Sequence, residues 1–314
     1  KKALKADPAN AAALYYVYLN NVYLNNTTAA NYYAAKLPAE TKVSEKISKV
    51  KVTAIETEYS YKSPDIAARK DAQYARIGIN VQLGHRLELQ QSGALWNQTI
   101  SEPELGKPPI FVTNPTNIKI NQKEYYAKLI FAAGGKVSLF GGFHYMKTPF
   151  NNLQYTNLVY TGGVKYATPF VHFQASAHFA TLSDKTFNQY DGTISMYPLG
   201  NTKFYTISKA SYGDDFTFSQ IIGYGITKKI WLEGNVTMGS YANLIDKDGL
   251  YIYNDIDRKR FKAGGSIYAS LSKHLQLSLN YTFDQKTRYK PATSLLKEIN
   301  FNQHSITGGL TWKF

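Results

Sequence analysis

The sequence contains no cysteine. Disulfide bonds are therefore excluded, and so are thiolate metal ligands and cysteine nucleophiles. Long apolar runs are missing as well: the longest candidate, AAALYYVYL at 11–19, falls far short of the roughly 18–20 residues that a membrane helix requires. The sequence therefore predicts neither a disulfide-stabilised domain nor a protein anchored by membrane helices.

Acidic residues are few relative to basic ones. The chain has 22 Asp and Glu against 36 Lys and Arg, which gives a formal net charge of +14. A basic balance of this size can indicate nucleic-acid binding when the charges gather on one helix or arm. Here the basic residues are scattered through predicted strands and turns, so we do not expect a nucleic-acid partner. Tyrosine, by contrast, is abundant at 26 residues.

Residues 1–47 are predicted to be an α-helical segment rich in Ala, Leu, Lys and Tyr. Asp7 suits a helix N-cap, and Pro8 suits the first turn that follows it. The stretch ALKADP before an aromatic-rich helix resembles the seam between tetratricopeptide repeats, because Ala3 and Pro8 have the spacing of that motif's small residue and closing proline. Tyr18 stands where the repeat has a glycine, and an ordinary helical hairpin explains the segment as well.

From residue 48 the helical pattern is replaced by about fourteen segments in which apolar and polar residues alternate, as in LQLSLNYTF at 275–283. The breaks between them alternate in length, from short turns such as 84–86 to longer links such as 99–119 and 241–258. Tight turns at one end and long loops at the other are typical of an outer-membrane barrel. We therefore predict an all-β, transmembrane, antiparallel up-and-down β-barrel over residues 48–314, with about 14 strands and 12 or 16 as alternatives.

A barrel also explains how a chain without apolar runs can cross a membrane. A closed barrel pairs every backbone group within the lipid, and the lipid contacts only alternate residues. Tyrosines near strand ends suit the aromatic girdles at the two interfaces. We therefore expect the protein in the outer membrane of a Gram-negative bacterium, in contact with outer-membrane lipid, with residues 1–47 in the periplasm.

The chain ends with HSITGGLTWKF. Thr307, Gly309, Trp312 and Phe314 resemble the C-terminal β-signal of bacterial outer-membrane proteins, which implies recognition by the barrel-assembly machinery. The barrel, with its LTWKF ending and with YTGGVKY at 160–166, is similar to the YaiO-type outer-membrane barrel family. Some members of that family carry tetratricopeptide repeats before the barrel, so the resemblance also accommodates the helical segment.

No constellation in the sequence indicates catalysis. Outer-membrane lipases and deacylases place a histidine two residues before a serine on one strand, so that base and nucleophile share a face. None of the six histidines here has that neighbour. Four aspartates in the 241–258 link could hold Ca²⁺, but basic residues are interleaved with them. We predict that the protein is not an enzyme and binds no cofactor or metal.

The lumen face is the remaining candidate for function. If the apolar residues face lipid, the polar ones face inward, and five of them on three consecutive strands could form one patch: Lys165, His172, Gln174, His178 and Asp191. Such residues could equally hydrate or cross-link the barrel interior. The leading interpretation is a channel or binding site for small polar solutes. The alternative is a non-conducting scaffold, or a component of an envelope complex, that docks a periplasmic or outer-membrane protein partner through its helices.

Three consecutive basic residues lie where the 241–258 link ends and the next strand starts: Arg258, Lys259 and Arg260. If the long loops face outward, these side chains would meet the phosphates of lipopolysaccharide, which both Lys and Arg bind. A solvated basic rim is the alternative interpretation. The next long link, 285–301, adds further basic residues, among them Lys290 and Lys297. Either interpretation explains this local excess of positive charge without nucleic acid.

Overall fold

The structure is a computed structural model. It describes residues 4, 6–23, 27–44, 50–102, 116–150, 153–182, 184–288 and 298–314. The centre of the predicted 99–119 link, at 103–115, lies outside this part of the chain, as do Lys290 and Lys297 of the last long link.

The N-terminal segment contains three short helices, α1 (Ala11–Tyr23), α2 (Thr27–Lys36) and α3 (Ala39–Ser44). Asn10, not Asp7, caps α1: its side-chain oxygen accepts from the Ala13 amide at 2.9 Å, whereas Asp7 closes the preceding turn. Leu14 and Ala34 are buried where α1 and α2 pack together. Among the described residues, no helix is both long enough and apolar enough to cross a membrane.

Fourteen strands occur in the described part of the chain, and they form one closed antiparallel barrel in which β1 pairs with β14. The strands are β1 (Val50–Pro64), β2 (Arg69–Leu83), β3 (Leu87–Glu102), β4 (Thr116–Ala132), β5 (Val137–Phe150), β6 (Leu153–Ala167), β7 (Val171–Leu182), β8 (Lys185–Met196), β9 (Phe204–Tyr212), β10 (Phe216–Gly225), β11 (Ile230–Asp246), β12 (Tyr251–Ser270), β13 (Leu275–Thr287) and β14 (Asn300–Lys313). The predicted fold and strand number are confirmed.

The two faces of the wall follow the period-two pattern. On β13, Leu277, Leu279 and Tyr281 point outward and are 40–50% exposed. Between them, Asn280 points into the lumen, where its amide donates to the Ser266 hydroxyl at 2.7 Å. Successive side chains of a strand lie on opposite faces, so one sequence presents apolar groups to lipid and polar groups to the interior.

The ends of the barrel differ, although less regularly than the sequence indicates. Turns such as 84–86 and 271–274 join strands at one end, which we call the short-turn end. At the opposite, long-loop end, the predicted links 148–156 and 182–188 shrink to two residues each, because β5–β6 and β7–β8 continue almost to their turns. The helical segment packs at the short-turn end, where the Arg86 guanidinium lies 5.1 Å from the ring centre of Tyr32.

The largest departure from the predicted layout is at 241–258. In place of an irregular loop, β11 and β12 continue and join through one 3₁₀ turn, Lys247–Gly249. The last rungs of this ladder run from Asn243 opposite Asn254 to Asp246 opposite Tyr251. We call residues 243–254 the inner hairpin, because they lie inside the barrel.

Candidate functional site

The inner hairpin leaves the wall at a set of β-bulges. Regular pairing of β11 with β12 ends at Met238 opposite Phe261, and two register shifts follow before Asn243. Gly239 has a φ of +129°, and a Cβ there would lie 2.5 Å from the Phe216 carbonyl oxygen. Only glycine fits this backbone without strain. Bulges bend the strands that carry them, and here they turn the hairpin into the lumen.

Apolar packing holds one face of the hairpin against the wall. Ile245 is fully buried, and Ile252 packs beside it. The partners lie on the inner faces of β5–β8, towards the long-loop end: Met146, Val159, Ala180, Leu182 and Phe187. Removing these side chains from lumen water stabilises the docked position.

Polar contacts of Asp248 with Lys128 and Gln174, which we call the polar latch, hold the hairpin tip in place. Lys247, Asp248 and Gly249 all have positive φ, at 47°, 59° and 87°. Asp248 accepts from the Lys128 ammonium at 3.1 Å and from the Gln174 amide at 2.7 Å. Such backbone conformations persist where the surroundings hold them in place. Lys128 and Gln174 lie four and three residues from the short-turn ends of β4 and β7, so the hairpin spans most of the lumen.

Two further contacts fix the hairpin at mid-height. The Gln189 amide donates to the Ile245 carbonyl at 2.7 Å, and its oxygen accepts from the Ile245 amide at 2.8 Å. Lys209 bridges two carboxylates, at 3.0 Å from Asp246 and 2.8 Å from Asp191. The backbone amide and carbonyl of Ile245 are thus both paired with a wall side chain, as buried backbone requires.

The structure brings most of the predicted polar patch to the hairpin. His178 Nε2 lies 3.1 Å from Asp191 Oδ2, and Gln174 binds Asp248. Lys165 stands opposite Gln174 in the β6–β7 ladder. His172 is separate: it packs on Tyr197 near the short-turn end, with ring centres 4.7 Å apart. The patch therefore faces a protein segment that the sequence pattern predicts to be an external loop.

One hydrogen-bonded chain resembles a hydrolase relay. Thr161 Oγ1 lies 2.8 Å from His178 Nδ1, and the other ring nitrogen contacts Asp191. A hydroxyl, an imidazole and a carboxylate in line can activate a nucleophile. Here His178 is fully buried, and a Cβ on Gly249 would lie 2.7 Å from Thr161 Oγ1. The docked hairpin therefore fills the space that a substrate would need, and the absence of enzymatic activity stays a prediction.

The aspartates of the 241–258 region are paired with basic side chains instead of gathered around a common centre. The pairs are Asp246 with Lys209, Asp248 with Lys128, Asp255 with Lys259, and Asp257 with Arg69. In the part of the chain that the structure describes, no three His, Asp or Glu side chains are arranged to hold a metal ion.

A cavity of about 1010 Å³ remains between the inner hairpin and the other side of the wall. The part of the cavity nearer the short-turn end is lined by Glu58. The Glu58 carboxylate accepts from the Tyr251 hydroxyl at 2.5 Å and from Arg76 at 3.4 Å. Nearby, Glu233 accepts from the hydroxyls of Tyr205 and Tyr268. The general expectation that polar strand residues face inward holds for Arg76 and Glu233, but it does not indicate that they line one enclosed space.

The basic triplet is divided between two faces. Arg258 is exposed and pairs with Asp215, and Arg260 is exposed and lies 3.3 Å from Glu298. Lys259 instead points into the lumen, where it is 2% exposed. The expectation that all three meet lipopolysaccharide is wrong for Lys259, because successive strand residues face opposite sides and the bulge after it sets which side.

The proposed assembly signal also occupies both faces of β14. Thr307 points inward and donates to the Ser60 hydroxyl at 2.8 Å, and Gly309 lies on the same face, beside Ser278. Trp312 and Phe314 point outward and are 47% and 60% exposed. The signal therefore presents its two aromatic rings on the lipid side of the wall.

Comparisons with known proteins identify the fold. Neither a protein-family model nor a curated protein matches the chain. The solved structures that match over most of their length include the toluene transporter TodX of Pseudomonas putida (TM-score 0.60, 7% identity, 84% of this chain and 90% of that chain) and a FadL homologue of Pseudomonas aeruginosa (TM-score 0.56, 9% identity, 90% and 92%).

These neighbours are outer-membrane barrels, and with the closed 14-strand wall they place the protein in the outer membrane of a Gram-negative bacterium. At such low identity the likeness shows a shared transmembrane-barrel fold, and neither a shared family nor a shared solute follows from it. The similarity to the YaiO-type family and to tetratricopeptide repeats receives no support from these comparisons.

Proposed function

We propose that the protein is an outer-membrane channel for small polar solutes, and that the inner hairpin closes its lumen in the docked position. The observation that carries this proposal is the hairpin itself, which reaches from the long-loop end almost to the short-turn end and leaves a solute-sized cavity beside it. A lumen filled by fixed side chains would hold no such space.

The chemistry of the cavity favours a polar solute over an apolar one. TodX is described as a toluene transporter and a monoaromatic hydrocarbon channel, so an apolar solute is the competing hypothesis. Here the cavity is lined by charged groups such as Glu58, Arg76 and Glu233. Enclosing charges against hydrocarbon costs several kcal/mol, whereas a polar solute replaces the water that they lose.

The inner hairpin can leave its contacts on the lumen wall, which we call undocking, while the strand pairing that closes the barrel stays intact. Pairing of β10 with β11 stops at Phe218 opposite Met238, and pairing of β12 with β13 stops at Arg258 opposite Thr287. The rungs that close the barrel therefore lie outside 243–254. Undocking breaks the latch and the apolar packing but no hydrogen bond between wall strands.

The test is single-channel recording in planar bilayers on a variant whose residues 243–254 are replaced by a short Gly-Ser linker. We expect larger and more frequent conductance steps than in the wild type. Asp248→Asn should give an intermediate effect, because it weakens the latch to Lys128. Asp215→Asn is the matched control, since Asp215 pairs with Arg258 on the outer surface.

A folded but silent deletion variant would contradict the channel and favour the second candidate, a non-conducting scaffold. The observation that favours a scaffold is the helical segment at the short-turn end, which leaves Tyr16, Val22 and Val43 exposed. We propose these side chains as the contact for a periplasmic protein partner. Photo-crosslinking from position 16 in intact envelopes would capture that partner, and loss of the adduct in Val22→Asp would locate the contact.

A further inference from the structure

The cavity between the inner hairpin and the wall holds an excess of positive charge in its part nearer the long-loop end. Four lysines on three strands define what we call the lysine cluster: Lys62, Lys259, Lys262 and Lys286. Asp284 lies among them and is acted on electrostatically by all four. We propose that this cluster is a binding site for small anionic solutes, carboxylates or phosphates. The inference rests on the proposed function only in taking the lumen to be a solute cavity.

The carboxylates of this region are already neutralised. Asp257 forms a two-point ion pair with Arg69, at 2.6 and 2.8 Å. Asp255 lies 3.1 Å from Lys259 and 3.4 Å from Lys286. Asp284 is the remaining acid, 3.9 Å from Lys259. Among these residues, three carboxylates therefore meet five cations, an excess of two positive charges. Asp246, the next carboxylate that acts on Lys262, is bound by Lys209 at 3.0 Å.

Lys62 and Lys262 carry that surplus. The Lys62 ammonium lies 4.7 Å from the ring centre of Trp96, and Lys262 donates to the Tyr253 hydroxyl at 2.7 Å. Within the described ranges, neither has a carboxylate at ion-pair distance. A charged group that is enclosed without a counter-charge is unfavourable, so an anion that fills this space gains what the lysines lack.

A buried hydroxyl beside Lys62 completes the site. Ser305 stands opposite Lys62 in the β1–β14 ladder and lines the cavity. It is 5% exposed, and its oxygen has no hydrogen-bond partner among the described residues. Buried hydroxyls in proteins are normally paired. An anion oxygen would accept from Ser305 and from the Lys62 ammonium together.

The position of the cluster suits capture from outside the barrel. Lys62 is two residues from the long-loop end of β1, and Lys286 is one residue from the end of β13. A solute that enters at the long-loop end therefore meets the positive field first, and such fields raise the local concentration of opposite charge. Lysines bind as compact point charges, unlike the fixed fork of arginine, so the site accepts anions of several shapes.

Trp96 provides a direct readout of binding. The protein is reconstituted in phosphatidylcholine vesicles without lipopolysaccharide, in a Trp231→Phe, Trp312→Phe background that leaves Trp96 as the only tryptophan. Succinate and inorganic phosphate are titrated, with choline and glycerol as controls. We expect a saturable change for the two anions and none for choline or glycerol.

Variants of opposite sign give the sharpest test. Lys62→Gln and Lys262→Gln should each weaken anion binding about tenfold, since each removes a charge-assisted hydrogen bond. Asp284→Asn should tighten binding, because it removes the central negative charge. Lys229→Gln, in an exposed turn at the short-turn end, is the matched control and should change nothing.

Unchanged binding in the Lys62→Gln, Lys262→Gln double variant, with a heat-modifiable and therefore folded barrel, would overturn the site, as would weaker binding in Asp284→Asn. The experiments distinguish failure of the channel proposal from failure of the anion-site proposal. Anion binding without conductance would refute the channel and keep the site, whereas conductance without anion binding would refute the site alone. Because the vesicles contain no lipopolysaccharide, binding there also excludes its phosphates as the source of the signal.

Discussion

Truncating Ile245 tests the docked hairpin most directly. This side chain is fully buried between the hairpin and the inner faces of β5–β8, where it contacts the cluster that includes Met146 and Phe187. Replacing a buried isoleucine by alanine costs about 2–5 kcal/mol. The cost falls on the docked state, because an undocked hairpin leaves residue 245 in lumen water in both proteins.

The shift in the docking equilibrium follows from that difference. A loss of 2 kcal/mol changes the ratio of docked to undocked hairpin about 30-fold, and a larger loss changes it more. The polar contacts of Gln189 and Asp248 remain in Ile245→Ala, so the hairpin is weakened without being removed. Ile245→Val, at about 0.5–1.5 kcal/mol, should give a smaller shift in the same direction.

The measurement is the open fraction of single channels at fixed voltage, with heat-modifiability as the check that the barrel is folded. We expect the order Ile245→Ala, then Ile245→Val, then wild type. Ile222→Ala is the matched control, because Ile222 faces outward and is 51% exposed. An open fraction in folded Ile245→Ala equal to that of the wild type would refute the reasoning, and so would an equal response to Ile222→Ala.

Three further predictions concern the wall and its surroundings. Leu279→Arg should destabilise folding into lipid by about 2–4 kcal/mol and Asn280→Arg by much less, because only the former faces lipid; equal effects in a folding titration would contradict the assigned faces. Phe314→Ala should reduce the heat-modifiable band in cell envelopes, since it removes an outward aromatic of the assembly signal, and an unchanged band would rule out that role. Arg258→Gln with Arg260→Gln should reduce the lipopolysaccharide that co-purifies with a folded barrel; full retention would favour a solvated basic rim.

The barrel could be predicted because its wall depends on local pattern. Alternation along segments such as 275–283 places apolar groups on one face whatever the neighbouring strand is. Antiparallel neighbours in sequence then pair through short turns, so the closed sheet requires few long-range decisions. The strand number, the lumen position of Asn280 and the outward position of Leu279 all follow from this pattern and agree with the structure.

The inner hairpin left a weaker trace in the sequence. Apolar residues occupy inward positions near the long-loop ends of β5–β8, including Val159, Ala180 and Phe187. In a polar lumen such residues need an apolar partner, and this break in the pattern was the available signal. It indicates that something packs there but not which segment, since several links are long enough to reach.

What only the tertiary structure decided is where the chain departs from its own period. The bulge after Lys259 reverses the faces of the residues before it, so Lys259 enters the lumen while Arg258 stays outside. A one-residue shift of register exchanges the two faces of a strand. The interactions that select the inward path of the hairpin join residues about a hundred positions apart: Ile245 shares a buried cluster with Met146, and Asp248 pairs with Lys128. Alternation is a property of neighbours along the chain, whereas these contacts exist only after the barrel has closed around the hairpin.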